Sequence, residues 1–180
     1  MTKKDLILIR VEPKYIDYLR QFDSNVQLNS EHLHKENKPF VGIIFKINFL
    51  DYFIPISSNK KVKLIKIYNN YLLNNTKPID MFFIEEIINN KRRLLSVLNI
   101  NNMVPIPEIA KIYFNINEDK DTSLLRKEIL FCNNHKQDIF KNSLRVYNSV
   151  INHTWTSLER RCCNFKLLEE KSILYQKSFK

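Results

Sequence analysis

The chain has 180 residues, 44% of them hydrophobic, which fits a single domain spanning residues 1–180 with one core. The mean hydropathy of −0.33 and the lack of an apolar run of about 18 residues argue against a transmembrane helix. The first apolar run, of about six residues, is too short for a secretory signal, so the cytoplasm is the expected location.

The net charge of +10 and the pI of about 9.5 predict a polyanionic partner. Nucleic acid is the commonest polyanion in a cytoplasm. A membrane surface is the alternative, but it requires a helix with one basic and one bulky apolar face, and the helices predicted below have the pattern of core helices. The charge does not distinguish binding of a nucleic acid from cleavage.

The N-terminal part predicts a strand, a helix and a loop. An apolar run at residues 6–9 indicates a short buried strand, and Pro13 suits the first turn of a helix. Apolar residues then recur with helical spacing, at Tyr15, Tyr18, Leu19 and Phe22. We expect the two tyrosines to pack in the core; stacking on RNA bases is the alternative. A polar loop follows at residues 23–38, and it contains His32, His34, Lys35 and Lys38.

The next stretch predicts a β-hairpin that ends in a corner of hydroxyl and basic side chains. Apolar residues alternate with period two, at Val41, Ile43, Phe45 and Ile47 and again at Tyr52, Ile54 and Ile56. Gly42, the only glycine, indicates a bulge, a bend or a close backbone approach, and Pro55 indicates an edge or rim position. Ser57, Ser58 and Lys60 follow where the strand ends, and we expect the end of the loop at 23–38 to lie nearby.

The middle of the chain predicts mostly strands. Three segments are expected to be extended: residues 62–68, 94–100 and, as an edge segment, 103–107. An asparagine-rich loop is expected at residues 69–77 and a basic turn at residues 91–93. Residues 80–88 fit the helical and the strand period equally well.

The last third predicts helices. One is expected at residues 122–131, and a second carries an apolar stripe of Phe140, Leu144, Tyr147 and Ile151. A third is expected to begin at Asn164, a good N-cap, with Leu167, Leu168 and Leu174 facing inward. Together these elements predict an α+β fold, with a twisted, mostly antiparallel sheet or partly closed barrel and helices packed against it.

Several kinds of site lack their sequence motifs. One glycine cannot build a phosphate-binding loop, no GxSxG motif is present, and the scattered carboxylates give little support to a two-metal nuclease. Cys132 and His135 have zinc-ligand spacing, which Cys162 and Cys163 could complete. Adjacent cysteines rarely share one zinc, and Cys132 lies in an apolar stripe, so buried thiols and no metal or other cofactor are expected. An odd cysteine count also agrees with a reducing compartment.

The corner at Ser57, Ser58 and Lys60 is the remaining candidate site. A sequence of this kind is commonly a solvated turn. Metal-free cleavage of RNA needs a group that accepts the 2′-hydroxyl proton, a donor to the leaving 5′-oxygen, and cations that stabilise the charged phosphorane. Lysine and hydroxyl side chains supply cations and hydrogen bonds, and a histidine or second lysine can transfer protons.

Five segments, in this order, carry a resemblance to a known family: residues 14–23, 38–43, 55–61, 103–106 and 163–171. In them the chain resembles the type III toxin–antitoxin endoribonucleases, the ToxN/AbiQ family. The resemblance implies a sheet similar to the Kid/MazF-type toxin fold. It also implies a toxin of an abortive-infection, antiviral system that cleaves RNA sequence-selectively and without a metal, leaving a 2′,3′-cyclic phosphate and a 5′-hydroxyl. A small repeated RNA antitoxin, which the toxin processes and holds as a pseudoknot in a closed assembly, is the implied partner beside cellular or phage mRNA.

The same resemblance implies the catalytic residues. The family's Thr/Ser-Ser-x-Lys corner matches Ser57, Ser58 and Lys60, and the lysine before the glycine strand matches Lys38. His34 stands where the family has a tyrosine, so its role is open between proton transfer and a solvated loop residue. Basic residues around the corner are predicted to bind RNA: Lys61, Lys63, Arg92 and Arg93. Two alternatives stay open, a non-catalytic RNA-binding module and, without a recognition-helix pattern, a DNA-binding regulator.

Overall fold

The computed structural model describes residues 5–27, 40–42, 46–47, 49–58, 62–113, 115–116 and 122–178, with the backbone alone at positions 40, 41, 47, 58 and 122. The strands in this part are β1 (Ile7–Val11), β2 (Phe40–Gly42), β3 (Lys46–Ile47), β4 (Leu50–Ser58), β5 (Met81–Ile88), β6 (Lys91–Asn99), β7 (Val104–Ile106) and β8 (Lys111–Ile112). The helices are α1 (Pro13–Arg20), α2 (Val62–Asn74), α3 (Thr122–Asn134), α4 (Lys136–Ile151), α5 (Thr156–Glu159) and α6 (Phe165–Lys177). Among these helices, none has both the length and the apolar character that a bilayer crossing requires.

The strands form one sheet in the order β5-β6-β4-β2-β1-β8, in which β3 and β7 also pair with β4. Every pairing within the described residues is antiparallel. Strands β5 and β8 stand at the two ends of this order, so the described sheet is open. Helices pack against it, which confirms the α+β fold with a mostly antiparallel sheet.

Strand β4 is the centre of the sheet, and its side chains are buried on both faces from Leu50 to Ser57. The prediction that Pro55 lies at an edge or rim is therefore wrong. Residues 51–53 pair with β7 and residues 56–58 pair with β6. Pro55 lies between these two ladders, where the partner strand changes, and a residue without an N–H donor is tolerated at such a break.

Gly42 marks a close approach to its backbone, which is one of the three alternatives that its sequence context predicts. Its backbone φ is not positive, so conformational freedom does not explain the residue. A Cβ atom at this position would lie only 2.7 Å from Cγ and 2.8 Å from Cε1 of Phe53, and closer still to Cδ1. The aromatic ring of Phe53 thus occupies the space that any side chain at position 42 would need.

The expected strand at residues 62–68 is wrong, since these residues begin helix α2. The buried side chains of α2 are Leu64, Tyr68 and Tyr71, which follow the helical spacing i, i+4 and i+7. They pack with Phe83, Leu94 and Val97 in a second, smaller hydrophobic cluster. The helix also continues to Asn74, so the loop expected from residue 69 begins later than predicted.

The ambiguous segment at residues 80–88 is mostly strand β5, and the two faces of that strand explain the ambiguity. Phe82 and Ile84 lie in the main core, whereas Phe83 lies in the second cluster. The turn after β5 consists of Asn89 and Asn90, with φ values of 49° and 59° that suit a tight hairpin. The basic turn expected at residues 91–93 is therefore wrong, because those residues already belong to β6.

The three long C-terminal helices are confirmed, with two differences in the faces they bury. The buried residues of α4 are Ile139, Ser143, Val146 and Val150, one position away from the predicted stripe. Asn164 caps α6 as predicted, since its Oδ1 accepts a hydrogen bond from the Leu167 amide at 3.2 Å. Leu168 is buried, but Leu174 is exposed, contrary to the prediction. The edge segment expected at 103–107 is confirmed as β7.

A buried carboxylate connects α4 and α6 to β4. Glu169 on α6 accepts hydrogen bonds from the hydroxyls of Tyr52 at 2.8 Å and Tyr147 at 2.7 Å. Burial, and next the nearby Glu169 carboxylate, raises the pKa of Tyr52 above its ordinary value, so this hydroxyl remains a donor. The helices are thereby joined to the central strand by directional bonds as well as by apolar packing.

We predict that Gly42→Ala destabilises the protein by about 1–3 kcal/mol, because the added methyl group overpacks the contact with Phe53. The measurement is urea unfolding of both proteins. Repeating the substitution in a Phe53→Leu background gives the control, because a smaller side chain at position 53 should reduce the cost of the methyl group. Equal stability of Gly42→Ala and the wild type would contradict this account.

Candidate functional site

The candidate site lies where β4 ends, and Ser57 is at its centre. The Ser57 side chain is only 1% exposed. Its Oγ accepts a hydrogen bond from Nδ2 of Asn99 at 2.6 Å and lies 3.4 Å from Oε1 of Gln27. Nδ2 of Asn99 also donates to Oε1 of Gln27 at 2.9 Å. Three residues far apart in the sequence thus meet around one hydroxyl group.

Each of these residues is positioned by a different element. Ser57 is near the end of β4 and lies opposite Val97 of β6. Asn99 is the last residue of β6, two positions further along the same strand. Gln27 follows the turn after α1, and neighbouring hydrogen bonds hold that turn to other parts of the chain: Asn102 donates to the Asn25 carbonyl at 2.6 Å, and Asn25 donates to the Cys162 carbonyl at 2.9 Å.

Ser57 lines an open cavity of about 380 Å³. The other lining side chains are mostly polar: Arg20, Ser24, Asn25, Val26, Gln27, Lys63, Leu64, Met81, Asn99, Asn101 and Asn102. Arg20 donates a hydrogen bond to the Val26 carbonyl, which holds its guanidinium beside the turn. Two cationic side chains and a ring of amides therefore surround the buried hydroxyl, a composition suited to an anionic, hydrogen-bonding ligand.

The structure describes only part of the predicted catalytic set. Ser58 is the last residue of β4, where its backbone lies opposite Ser96, and its side chain is not described. Three other predicted catalytic residues lie outside the described residues: His34, Lys38 and Lys60. The described corner therefore contains Ser57 and the backbone of Ser58 at the end of a strand, as predicted.

The predicted RNA-binding residues lie in two places. Lys63 is exposed and lines the cavity beside Ser57, whereas Lys61 lies outside the described residues. Arg92 donates to the Tyr71 hydroxyl at 3.0 Å, and Arg93 forms an ion pair with Glu86. Ser96 of β6 lies opposite Ser58, the last residue of β4. Arg93 is three residues from Ser96, or about 10 Å along the strand. Arg92 and Arg93 therefore lie beyond the end of β4.

The sequence analysis missed Gln27 and Asn99. Neither belongs to a motif, and the chain is rich in asparagine, so nothing in the pattern separates Asn99 from its neighbours. The register of β4 against β6 brings Asn99 to Ser57, and that register is visible only in the folded sheet.

The three cysteines are buried free thiols, as predicted. Burial is the main cause that raises the pKa values of Cys132 and Cys162 to about 12 and that of Cys163 well above its ordinary value. The ring of His135 packs on that of Phe131, with centroids 4.3 Å apart. In the part of the chain that the structure describes, no group of three His, Cys, Asp or Glu side chains could hold a metal ion.

Comparison with known proteins identifies the family. The model of the family described as Toxin ToxN, type III toxin–antitoxin system, matches residues 7–172. The chain belongs to the ToxN family. Endoribonuclease ToxN of Bacillus thuringiensis subsp. kurstaki is 30% identical over 98% of this chain and 88% of its own length. Endoribonuclease AbiQ of Lactococcus lactis subsp. lactis is also 30% identical, over 98% of this chain and 93% of its own.

Solved structures of ToxN-family proteins have the same fold. The structure of AbiQ, a lactococcal anti-phage endoribonuclease of a type III toxin–antitoxin system, has a TM-score of 0.79 and 26% identity, and covers 97% of this chain and 99% of that one. A structure of a type III system with selective toxin inhibition by a non-coding RNA pseudoknot has a TM-score of 0.77 and 28% identity, with 96% and 99% coverage. The resemblance to the ToxN/AbiQ endoribonucleases is thus confirmed over nearly the whole chain.

We predict that the buried thiols react with iodoacetamide at pH 8 about a thousandfold more slowly in the folded protein than in urea. The thiolate is the reactive form, and a shift of Cys132 and Cys162 from an ordinary pKa near 9 to about 12 lowers its fraction by about three powers of ten. Folded-state labelling should therefore keep rising with pH above 9, whereas labelling in urea levels off near that value. Mass spectrometry measures both rates.

A Ser178→Cys variant is the matched control for these thiols, because Ser178 is exposed. Its added thiol should react at nearly the same rate in the folded and the unfolded protein. Fast folded-state labelling of Cys132 or Cys162 would contradict the burial described here.

Proposed function

We propose that this ToxN-family chain is a sequence-selective, metal-independent endoribonuclease that leaves a 2′,3′-cyclic phosphate and a 5′-hydroxyl. The observation that carries this proposal is the buried hydroxyl of Ser57 at the wall of a cavity that Arg20 and Lys63 also line. A phosphodiester of RNA in this cavity would meet a hydrogen-bonding hydroxyl and two cations. The negative charge of the RNA backbone also complements the net charge of +10.

The proposed reaction requires no group beyond side chains. The 2′-oxygen attacks the adjacent phosphorus while a base accepts its proton, and the bond from phosphorus to the 5′-oxygen breaks as an acid protonates that oxygen. We assign the central chemistry to Ser58 and Lys60, and contact with the scissile phosphate to Ser57 and Lys38. Positive charge and hydroxyl donors stabilise the phosphorane because negative charge accumulates on its oxygens.

The position of residues 28–39 in the chain supports including Lys38, and with it the open candidate His34. Gln27, just before this segment, lies 3.4 Å from Ser57 through its side-chain oxygen. Phe40, just after it, pairs with Pro55 of β4. Both flanking residues are thus at the corner, and Lys38 precedes Phe40 by only two positions in the sequence.

We further propose that a structured, repeated RNA is the antitoxin and that the toxin processes it and is held by it in a closed complex. A solved relative concerns toxin inhibition by an RNA pseudoknot, and another concerns a processed non-coding RNA that regulates a bacterial antiviral system. The proposed setting is the cytoplasm, where mRNA is the target and phage defence the outcome. Inhibition of cleavage by an added pseudoknot RNA tests the partner.

Ser58→Ala and Lys60→Ala should each reduce the rate of RNA cleavage in EDTA by about a hundredfold or more, because each removes a group that acts on the transition state. The measurement uses purified protein and a long single-stranded RNA, with mapping of the product ends. Discrete cuts with cyclic-phosphate 3′ ends are expected from the wild type.

Ser178→Ala and Lys177→Ala are the matched controls, because both residues are exposed near the end of α6. They should cut at the wild-type rate, and all four variants should melt like the wild type. Wild-type activity in Ser58→Ala or Lys60→Ala would refute the site assignment. Tight RNA binding without any cutting by the wild type would instead favour a non-catalytic RNA-binding module.

Lys63→Gln should weaken RNA binding and lower the slope of log K against log salt by about one, because one phosphate contact is lost. Binding is measured in a Ser58→Ala background so that the RNA stays intact. Lys177→Gln removes the same charge away from the cavity and should leave the slope unchanged. An unchanged slope in Lys63→Gln would exclude Lys63 from the RNA interface.

A further inference from the structure

The side chain of Asn99 lies between Ser57 and Gln27 and is only 7% exposed. Its amide nitrogen carries two protons and no acceptor lone pair. One proton is donated to Oγ of Ser57 at 2.6 Å and the other to Oε1 of Gln27 at 2.9 Å. In this orientation Gln27 holds the Asn99 amide, because its Oε1 accepts the second proton.

The hydrogen bond from Asn99 determines whether the Ser57 hydroxyl can act as a donor or as an acceptor toward a ligand. Because Oγ accepts from Asn99, the hydroxyl proton must point elsewhere. Its other contact among the described residues is Oε1 of Gln27, at the long distance of 3.4 Å, and that oxygen already accepts from Asn99. A hydrogen bond of this length is weak, so the Ser57 hydroxyl can donate instead to a better acceptor that enters the cavity.

A phosphodiester is such an acceptor. Its non-bridging oxygens carry no proton at neutral pH and can only accept hydrogen bonds. A serine that contacts them must therefore be the donor, and an amide donor behind Oγ keeps it in that role. A carboxylate at position 99 would have the opposite effect, because it would itself accept the hydrogen bond from the Ser57 hydroxyl.

We propose that Asn99 is a positioning residue for RNA cleavage, which acts through Ser57 and holds its hydroxyl as a donor to a non-bridging oxygen of the scissile phosphate. This inference rests on the proposed function, because it requires RNA cleavage and a role for Ser57 in it. It adds Asn99, which no sequence motif contains, to the proposed site. It also states that Ser57 is the donor in its hydrogen bond to the phosphate. Gln27 contributes by holding the Asn99 amide.

The test is Asn99→Asp, which keeps the shape of the side chain and reverses its hydrogen bond to Ser57. At neutral pH kcat should fall about tenfold or more, because the phosphate loses its donor. Activity should recover as the pH falls toward the pKa of the new carboxyl group, since a protonated carboxyl can donate to Ser57 again. The wild type should show no such recovery, so the pH profile separates positioning from a merely structural role.

Two controls isolate the effect. Ser24→Asp places the same negative charge in the cavity lining without a hydrogen bond to Ser57, and it should raise KM without a pH-dependent recovery of kcat. In a Ser57→Ala background, Asn99→Asp should change kcat little further. Equal pH profiles of Asn99→Asp and the wild type, or an equal effect with and without Ser57, would overturn the inference.

If Asn99→Asp does not fold, Asn99→Ala takes its place in the same comparison. It should lower kcat at least threefold when Ser57 is present and leave it unchanged in Ser57→Ala, and equal effects in both backgrounds would overturn the proposal. Failure of the proposed function is distinguishable, because then the wild type itself does not cut RNA. Failure of the Ser57 assignment is distinguishable too, because Ser57→Ala then cuts like the wild type.

Discussion

The burial of β4 on both faces is the constraint on which the rest of the structure depends. A strand with apolar side chains on both sides needs packing above and below the sheet, and Tyr52, Phe53, Ile54 and Ile56 all belong to the main core. The N- and C-terminal helices cover this core. On the other face of β5 and β6, helix α2 covers Phe83 and Val97. At the start of β4, the buried Asp51 binds the Lys111 ammonium at 2.6 Å, which fixes that end of the strand.

The proposed site depends on where this central strand ends. A hydroxyl group buried in the middle of a sheet would be inaccessible, and one on a free loop would lack a fixed position. Ser57 lies between these two cases, because its backbone is paired with β6 and its buried side chain lines a cavity. The same pairing delivers Asn99 to it, so the scaffold and the chemistry share one ladder of hydrogen bonds. Residues that end strands are suited to such roles because the sheet holds them rigid.

Much of the fold could be predicted from local pattern. Helix α1, the cap at Asn164 and strand β7 follow from spacing or from a single residue with strong local preferences. One error occurs where two periods compete. In residues 62–68 two lysines are interleaved with apolar residues, a pattern that reads as a strand, yet packing of Leu64, Tyr68 and Tyr71 on β5 and β6 makes them helical. Tertiary packing decided this element because short segments have weak intrinsic preferences.

By itself the sequence determined the α+β class, the burial of the thiols and the strand end at Ser57, because these depend on composition and on residues near one another in the chain. The family followed from the resemblance of five segments, in order along the chain, to the ToxN/AbiQ endoribonucleases. Only the tertiary structure decided that β4 is central and not at an edge. Only it brought Gln27 and Asn99, 30 and 42 residues away from Ser57, to the same hydroxyl. A hydrogen bond between distant residues depends on strand register and on the path of a turn. Both are set by the packing of the whole domain, and no local pattern records them.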